Sequence, residues 1–339
     1  MAFSDNTNEC ENDARTKVMS SLKAAKGILL SLISAICFAF SGEFTALASK
    51  DGIPSFQIIF LKRFIELCTV VPIVAFSRPR LTGENRHQNI ILLVFVIVSN
   101  VGNAVVHLSF TYTVPGIAFG IIKGSVPFFV ACIGFLFLKE HVSLFEGSAI
   151  LISVTGVVLV AVGMTHIAAI STKLLMLSIG FPLFAAFPLA LDTVIIRYLT
   201  AKLGMPMFTS LLYQDFIGAV ALLGITYAAE TPVWTMSLRT ALYVVGLGVS
   251  KSLASIFLFE SLKEVKAYTS TAVGIFVIPI TILLDYLFMQ KVPNSLQVAG
   301  VAFVMLGVLL VSVYTWWTSR QKELKRTFLE TLNFDPDER

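Results

Sequence analysis

Three ionisable residues lie inside an apolar run of the sequence. The segment "FLKRFIEL" (residues 60–67) places Lys62, Arg63 and Glu66 in a stretch that begins with "SFQIIF" and continues with "CTVVPIVAF". On a helix, Glu66 lies within reach of both cations, but its single carboxylate fully neutralises only one of them. Arg63 is the better anchor for a carboxylate or phosphate, because its planar guanidinium donates paired hydrogen bonds and stays charged. These residues indicate anion-binding chemistry in apolar surroundings.

Three more ionisable residues lie deep in apolar runs. Lys123 stands in "GIIKGSVP", where Gly120 and Gly124 form a GxxxG face that favours close helix packing. Lys251 stands in "GLGVSKSLAS", and we expect its small neighbours to give a substrate access to it. Asp215 stands in "LLYQDFIG". Four other ionisable residues lie about one helical turn from a span end, where they can reach an interface: Glu43, His107, Asp192 and Asp285.

The deep set therefore contains four cations and two acids. An ionisable group near a bilayer centre costs at least about 2.5 kcal/mol, so this excess of positive charge calls for a counter-charge, which a bound anion supplies. The predicted substrate-binding residues are Arg63, Lys123, Lys251 and Lys62. The predicted gating or proton-coupling residues are Glu66 and Asp215. The alternative is that Lys123 pairs permanently with Asp215 or Glu66 and serves folding only.

Composition places these charges in a membrane. Of the 339 residues, 56% are hydrophobic and 14% charged, and the mean hydropathy is +0.83. No alternating strand pattern occurs, so the predicted fold is an all-α integral membrane protein. Ten apolar runs have about the 20 residues that a spanning helix needs. They cover residues 27–48, 54–76, 90–112, 116–138, 143–163, 173–196, 206–229, 240–259, 267–289 and 294–317.

The distribution of basic residues predicts the orientation. With ten spans, both termini lie on the same side of the membrane, and most of the 25 Lys and Arg residues fall in the tails and the even-numbered loops. The other loops carry only Lys50, Lys173, Arg239 and Lys291. Basic loops stay in the cytosol, so both tails, residues 1–26 and 318–339, are predicted to be cytosolic. The acidic N-terminus and the final "DPDER" are also expected to be disordered.

The sequence repeats itself at an interval of about 152 residues. "GIPSFQIIFLKRFI" (52–65) aligns without gaps on "GMPMFTSLLYQDFI" (204–217), and 126–144 aligns similarly on 278–296. This alignment places Asp215 at the position of Arg63, so the two residues are predicted to face each other at matching depth. Five spans per copy force the second copy to enter the membrane inverted, as in secondary transporters. The repeats are predicted at 27–163 and 173–317.

These features resemble a known family. The two five-span halves, "FLKRF", and "PFFVACIGFLFLKEHVSLFEG" with the later "GVVLV" resemble EamA-like members of the drug/metabolite transporter superfamily. "LKE" and "VPNSLQVAGVAF" are most similar to the G subfamily of solute carrier family 35, although the second half reads "MQK" where the first reads "LKE". The resemblance implies a central cavity, alternating access without ATP, and a small organic anion such as a di- or tricarboxylate as substrate.

Other classes of function stay open beside transport. A non-transporting scaffold or regulator that binds partners through its loops and tails is one alternative, and a transporter of a nucleotide sugar or another small metabolite is a second. An enzyme is not expected, because HExxH, GxSxG and P-loop motifs are absent from the sequence. We predict no cofactor, no bound metal and no nucleic-acid partner. The expected partners are a small anionic metabolite and the lipid bilayer, with a homodimer as an option. Plasma membrane and endomembrane are not distinguished.

Overall fold

The computed structural model describes residues 5–112, 115–140, 142–164, 172–290 and 292–332, with side chains over 22–106, 120–140, 142–160, 162, 180–288, 290 and 292–321. The predictions for His107 and for residues 1–4 and 333–339 lie outside these ranges. Every regular element within them is helical. The helices are α1 (Asp5–Lys50), α2 (Ser55–Ser77), α3 (Arg86–Tyr112), α4 (Pro115–Leu138), α5 (Leu144–Met164), α6 (Thr172–Arg197), α7 (Met207–Ala229), α8 (Leu238–Glu264), α9 (Ala267–Gly274), α10 (Val277–Met289) and α11 (Ser295–Leu332).

Eight helical segments of the described residues are long and apolar enough to cross a membrane. They lie at Leu22–Lys50, Arg86–Val106, Gly120–Leu138, Gly180–Lys202, Met207–Ala229, Leu238–Glu264, Ala267–Phe288 and Ser295–Gln321. Two of the ten predicted spans are not among them. Helix α2 has 23 residues but carries three charges at its centre, and the described apolar part of α5, Leu144–Val160, is shorter. The chain is therefore a multi-pass membrane protein, and the count of ten stays a prediction.

Several helix ends differ from the sequence prediction. The expected disorder of the acidic N-terminus is wrong for the described residues, because α1 begins at Asp5. Helix α11 continues beyond the predicted end of its span to Leu332, and the "DPDER" segment lies outside the described residues. Both extensions lack Gly and Pro, so the helix of each span propagates into them. Helix α6 continues as a π-helical turn to Lys202. The ninth predicted span divides into α9 and α10 at Ile275 and Phe276, shortly before Pro279.

Helices α2 and α7, which occupy the same place in the two repeats, pack antiparallel. At one end the amide of Gln57 donates to the Val233 carbonyl at 2.6 Å and accepts from the Val233 N–H at 2.8 Å. At the other end the Thr209 hydroxyl donates to the Arg80 carbonyl at 2.7 Å. The start of each helix thus meets the end of the other. This arrangement aligns equivalent positions of the repeats at the middle of the pair.

Helices α5 and α11 form a second antiparallel pair of counterparts, and they approach closely at two glycines. A Cβ placed on Gly156 would lie 2.5 Å from the Gly300 carbonyl oxygen, and one on Gly300 would lie 2.6 Å from the Gly156 carbonyl oxygen. Other contacts follow the same symmetry. Helix α1 packs on α8, and their counterparts in the other half, α6 and α3, pack on each other. The two halves are therefore arranged about a pseudo-twofold axis, which a repeat of opposite orientation produces.

The close approach at Gly156 gives a prediction on stability. We expect Gly156→Ala to lower the melting temperature of the detergent-purified protein by several degrees, since overpacking typically costs about 1 to 3 kcal/mol. The matched control is Gly147→Ala on the same helix, where nothing lies within 4 Å of an added Cβ. That control is expected to melt at or slightly above the wild-type temperature, because alanine favours the helix. Equal melting temperatures for the two variants would contradict the close packing.

Candidate functional site

The centre of the α2–α7 pair is an ion-pair cluster of three buried side chains. The Arg63 guanidinium, 1% exposed, donates from Nη1 to Glu66 Oε2 at 2.8 Å and to Asp215 Oδ1 at 2.9 Å. Glu66 is one helical turn along α2, whereas Asp215 comes from α7 at the matching repeat position. The predicted contact between Arg63 and Asp215 is thus present. It results from the antiparallel packing, which brings equivalent residues together at mid-helix.

Polar residues of α3 and α7 extend this cluster, and the sequence analysis did not select them as site residues. With its amide oxygen turned towards Arg63, Gln214 accepts from both Nη1 and Nη2 at 3.0 Å and from the Ser99 hydroxyl at 2.6 Å. Asn100 donates from Nδ2 to the Val96 carbonyl at 2.9 Å and to the Gln214 carbonyl at 3.2 Å. Hydrogen bonds therefore hold both Nη groups of Arg63, whereas its Nε has no hydrogen-bond partner among the described residues.

The two repeats differ at the position of Glu66. Its equivalent in the second half is Gly218, and a Cβ placed there would collide with Asn100 Oδ1 and lie 3.4 Å from Arg63 Nε. The glycine leaves room for the Asn100 side chain beside Arg63. One half thus supplies a carboxylate and the other supplies space for an amide. The sequence signal for this exchange was the alignment of the repeats, which pairs Glu66 with Gly218.

Asp192 belongs to the same region, contrary to the prediction that it reaches an interface. Because the helix of α6 continues through the π turn to Lys202, Asp192 lies about 15 Å from the end of the helical segment rather than one turn from it. Its carboxylate lies near Ser99 and within electrostatic range of Arg63 and Lys251. The sequence signal that would have placed it was the absence of Gly and Pro between Asp192 and Lys202.

The charge count of the deep set changes accordingly. Asp192 adds a third acid, and Glu43, 2% exposed, adds a fourth because α1 continues for seven residues beyond it. The predicted excess of two positive charges therefore disappears when these acids are counted. The buried charges are nevertheless unevenly distributed, since Glu66 and Asp215 both contact Arg63. The argument for an anion must rest on where the lysines lie.

Lys123 and Lys251 meet at one aromatic ring. Lys123 Nζ lies 4.5 Å from the centroid of the Phe38 ring, and Lys251 Nζ lies 4.1 Å from the same centroid. Lys251 also donates to the Ser255 hydroxyl at 3.1 Å. Helices α4 and α8, one from each half, thus bring two cations to a residue of α1. The ring face attracts cations through its quadrupole, and this stabilises two neighbouring charges of like sign.

The surroundings of the lysines differ from the predictions in two respects. Among the described residues, the ion pairs of Glu66 and Asp215 are made with Arg63 and not with Lys123. The small residues near Lys251 serve helix packing rather than substrate access, because a Cβ on Gly248 would lie 2.5 Å from Ile65. Near Lys123, Gly124 allows α4 to approach α5, as the GxxxG pattern predicts. Glycine in these runs therefore indicated close helix contact and not an open path.

Lys62 lies beside the cluster without joining it. Its side chain is half-buried and, among the described residues, makes no hydrogen bond or ion pair, although it lies within electrostatic range of Glu66 and Lys251. A cleft of about 590 Å³ lies elsewhere, lined by Pro54 and residues 227–231 near the end of α7. The described polar groups thus converge on Arg63 and on Phe38. The central cavity that the resemblance implied stays a prediction.

Comparison with known proteins decides the family. The model of the EamA-like transporter family matches residues 25–162 and again 176–313, which together are most of the chain. The chain belongs to the EamA-like transporter family. The family lies in the drug/metabolite transporter superfamily, and its members are membrane transporters of small metabolites rather than enzymes. The narrower resemblance to the G subfamily of solute carrier family 35 stays a prediction.

The fold of this EamA-like protein also resembles solved structures. One, described only as "Crystal structure of protein", superposes with a TM-score of 0.68 at 13% sequence identity. The match covers 88% of this chain and 98% of that chain. At this identity the likeness concerns the fold alone. No curated protein matches the sequence.

The ion-pair cluster gives a prediction that separates folding from binding. Arg63→Met leaves two buried carboxylates without their cation, so we expect a destabilisation of about 3 to 5 kcal/mol. The triple variant Arg63→Met, Glu66→Gln, Asp215→Asn carries no buried charge at these positions and is expected to recover most of the melting temperature. Thermal unfolding of the purified proteins in detergent measures both. A single variant that melts like the wild type would show that the three residues do not depend on one another.

Proposed function

We propose that the protein is a secondary transporter that moves a small organic anion across its membrane by alternating access. The observation that carries this proposal is the pair of ammonium groups, Lys123 and Lys251, held at Phe38 within a bundle of two antiparallel halves. Family membership supports transport of a small metabolite. Two cations from different halves favour an anion as the substrate, and a di- or tricarboxylate has a further carboxylate group that can accept from Arg63.

Arg63 supplies a gate between the halves in this proposal. Its bond to Asp215 joins α2 to α7 at the centre of the molecule. An anion that accepts from the guanidinium competes with Asp215, and this weakens the connection between the two helices. Exchange of buried ion pairs is a common way for packed elements to change position. When the anion displaces Glu66 or Asp215 from Arg63, the released carboxylate can take up a proton. Proton uptake at that step would couple transport to protons.

The membrane arrangement that we propose has ten spans, with α2 and α5 crossing the bilayer and both termini in the cytosol. Helix α2 has the length to span, and two of its three charged residues, Arg63 and Glu66, are buried within the protein rather than exposed to lipid. The antiparallel pairs α2–α7 and α5–α11 support five spans in each half, because an odd number inverts the second copy. The loops that carry most of the basic residues then face the cytosol. Arrangement as a homodimer stays an option.

The substrate prediction is tested by uptake into proteoliposomes. We expect wild-type protein to accumulate radiolabelled succinate or citrate and the charge-free triple variant to lose at least about 90% of this uptake while remaining folded. Inorganic phosphate and a nucleotide sugar serve as comparison substrates. If only the nucleotide sugar is taken up, the proposed substrate class changes from carboxylates to nucleotide sugars. Uptake by the triple variant at the wild-type rate would exclude Arg63 as the anchor. A wild-type protein that carries none of these compounds would favour a scaffold.

The orientation is tested by labelling of single cysteines. In a variant whose four native cysteines are replaced by serine, Arg80→Cys and Thr231→Cys place thiols in the loops after α2 and after α7, where both native residues are exposed. A membrane-impermeant maleimide is expected to label the two positions from opposite faces of sealed cells or vesicles, with Arg80→Cys reached from the cytosolic face. Labelling of both from the same face would contradict the ten-span arrangement.

A further inference from the structure

Phe38 is the one described residue whose ring contacts the ammonium groups of both Lys123 and Lys251. The ring sits on α1, while the two lysines come from α4 and α8. Phe38 also packs against an apolar cluster that contains Val273 and Ile278, and this packing restricts the motion of the ring. Neither sequence motif nor repeat marks this residue, because the equivalent position in the second half is Ala190.

Two lysines brought this close repel each other, and each has a long side chain with four rotatable bonds. Electrostatic interaction between Lys123 and Lys251 is direct, since each lies in the field of the other. Attraction to the negative face of one ring offsets part of this repulsion. It also restricts both side chains before any ligand arrives, which lowers the entropic cost of forming a site.

An ammonium group over a ring still has donors to spare. Each Lys Nζ carries three N–H groups, and a cation–π contact occupies one side of it only. Lys251 uses one donor on Ser255, which leaves others for a ligand. One carboxylate or phosphate group has enough acceptor positions to bond both ammonium groups at once. The geometry therefore allows the ring and an anion to hold the lysines together.

We propose that Phe38 is a positioning residue that holds Lys123 and Lys251 so that one acidic group of the substrate binds both ammonium groups. This inference rests on the proposed anion transport and deepens it, because it defines a shared two-lysine subsite built from both halves. An anion in the subsite bridges α4 and α8 and therefore links the two halves directly. Aromatic character at residue 38, rather than apolar volume alone, determines the affinity of the subsite.

The test measures anion binding without transport. Purified full-length protein in detergent is titrated with succinate or with inorganic phosphate, and the melting temperature is followed, since a bound ligand stabilises the folded state by mass action. We expect Phe38→Leu to raise the half-maximal concentration about five- to tenfold, which corresponds to the loss of two cation–π contacts. Phe38→Tyr keeps the aromatic face and is expected to stay within about twofold of the wild type. Phe40→Leu, two residues along the same helix, is the matched control and is expected to leave the concentration unchanged.

A second measurement excludes a purely structural role for Phe38. In the Lys251→Gln background, Phe38→Leu is expected to weaken binding by a clearly smaller factor than in the wild type, because only one cation remains to be positioned. A lower melting temperature of ligand-free Phe38→Leu with an unchanged half-maximal concentration would overturn the inference. The inference is also overturned if Phe38→Leu weakens binding by the same factor in the Lys251→Gln background as in the wild type. A wild-type protein stabilised by neither probe would contradict the anion subsite as a whole, whereas insensitivity of Phe38→Leu alone contradicts only the role of Phe38.

Discussion

The bond between Arg63 and Asp215 is the constraint on which the centre of this molecule depends. A guanidinium that is 1% exposed in a membrane protein must have counter-charges, and the structure supplies them from both halves. The two residues hold equivalent places near the middle of their helices, so they can meet when α2 and α7 run antiparallel with their middle parts in contact. The ion pair thus specifies the register of the central helix pair. The hydrogen bonds at Gln57 and Thr209 fix the two ends of the same register.

The sequence predicted this part of the fold well because its signals were local or repeated. Apolar runs gave the helices, and the 152-residue interval paired Arg63 with Asp215 before any geometry was known. The ends of helices were less predictable, since α1 and α11 continue through polar segments on helix propensity alone. Asp192 was predicted at an interface because the end of α6 was also placed too early. Counting it among the deep residues altered the charge balance. A predicted end of α6 that was a few residues too early therefore left Asp192 out of the predicted site.

The other part of the site was not predictable from charge patterns. Lys123 and Lys251 were found because a buried lysine is rare, but their meeting point required packing between α1, α4 and α8. Phe38 is one of 28 phenylalanines, and nothing in its local sequence separates it from those that face lipid or fill the core. Glycines near the lysines suggested access, whereas they accommodate Ile65 and Phe44 of neighbouring helices. Tertiary contact, and not composition, distinguishes these roles.

The break between α9 and α10 makes the two halves mechanically unequal. In the first half, Pro127 lies inside the continuous helix α4, whereas in the second half the helix is interrupted before the equivalent Pro279. Two identical inverted halves would give inward-facing and outward-facing forms of equal energy, since exchanging the halves converts one form into the other. An interrupted helix in one half and an unbroken one in the other removes that degeneracy. In the proposed alternating-access cycle, the difference in backbone between these two helices contributes to which side of the membrane an unloaded molecule faces at rest.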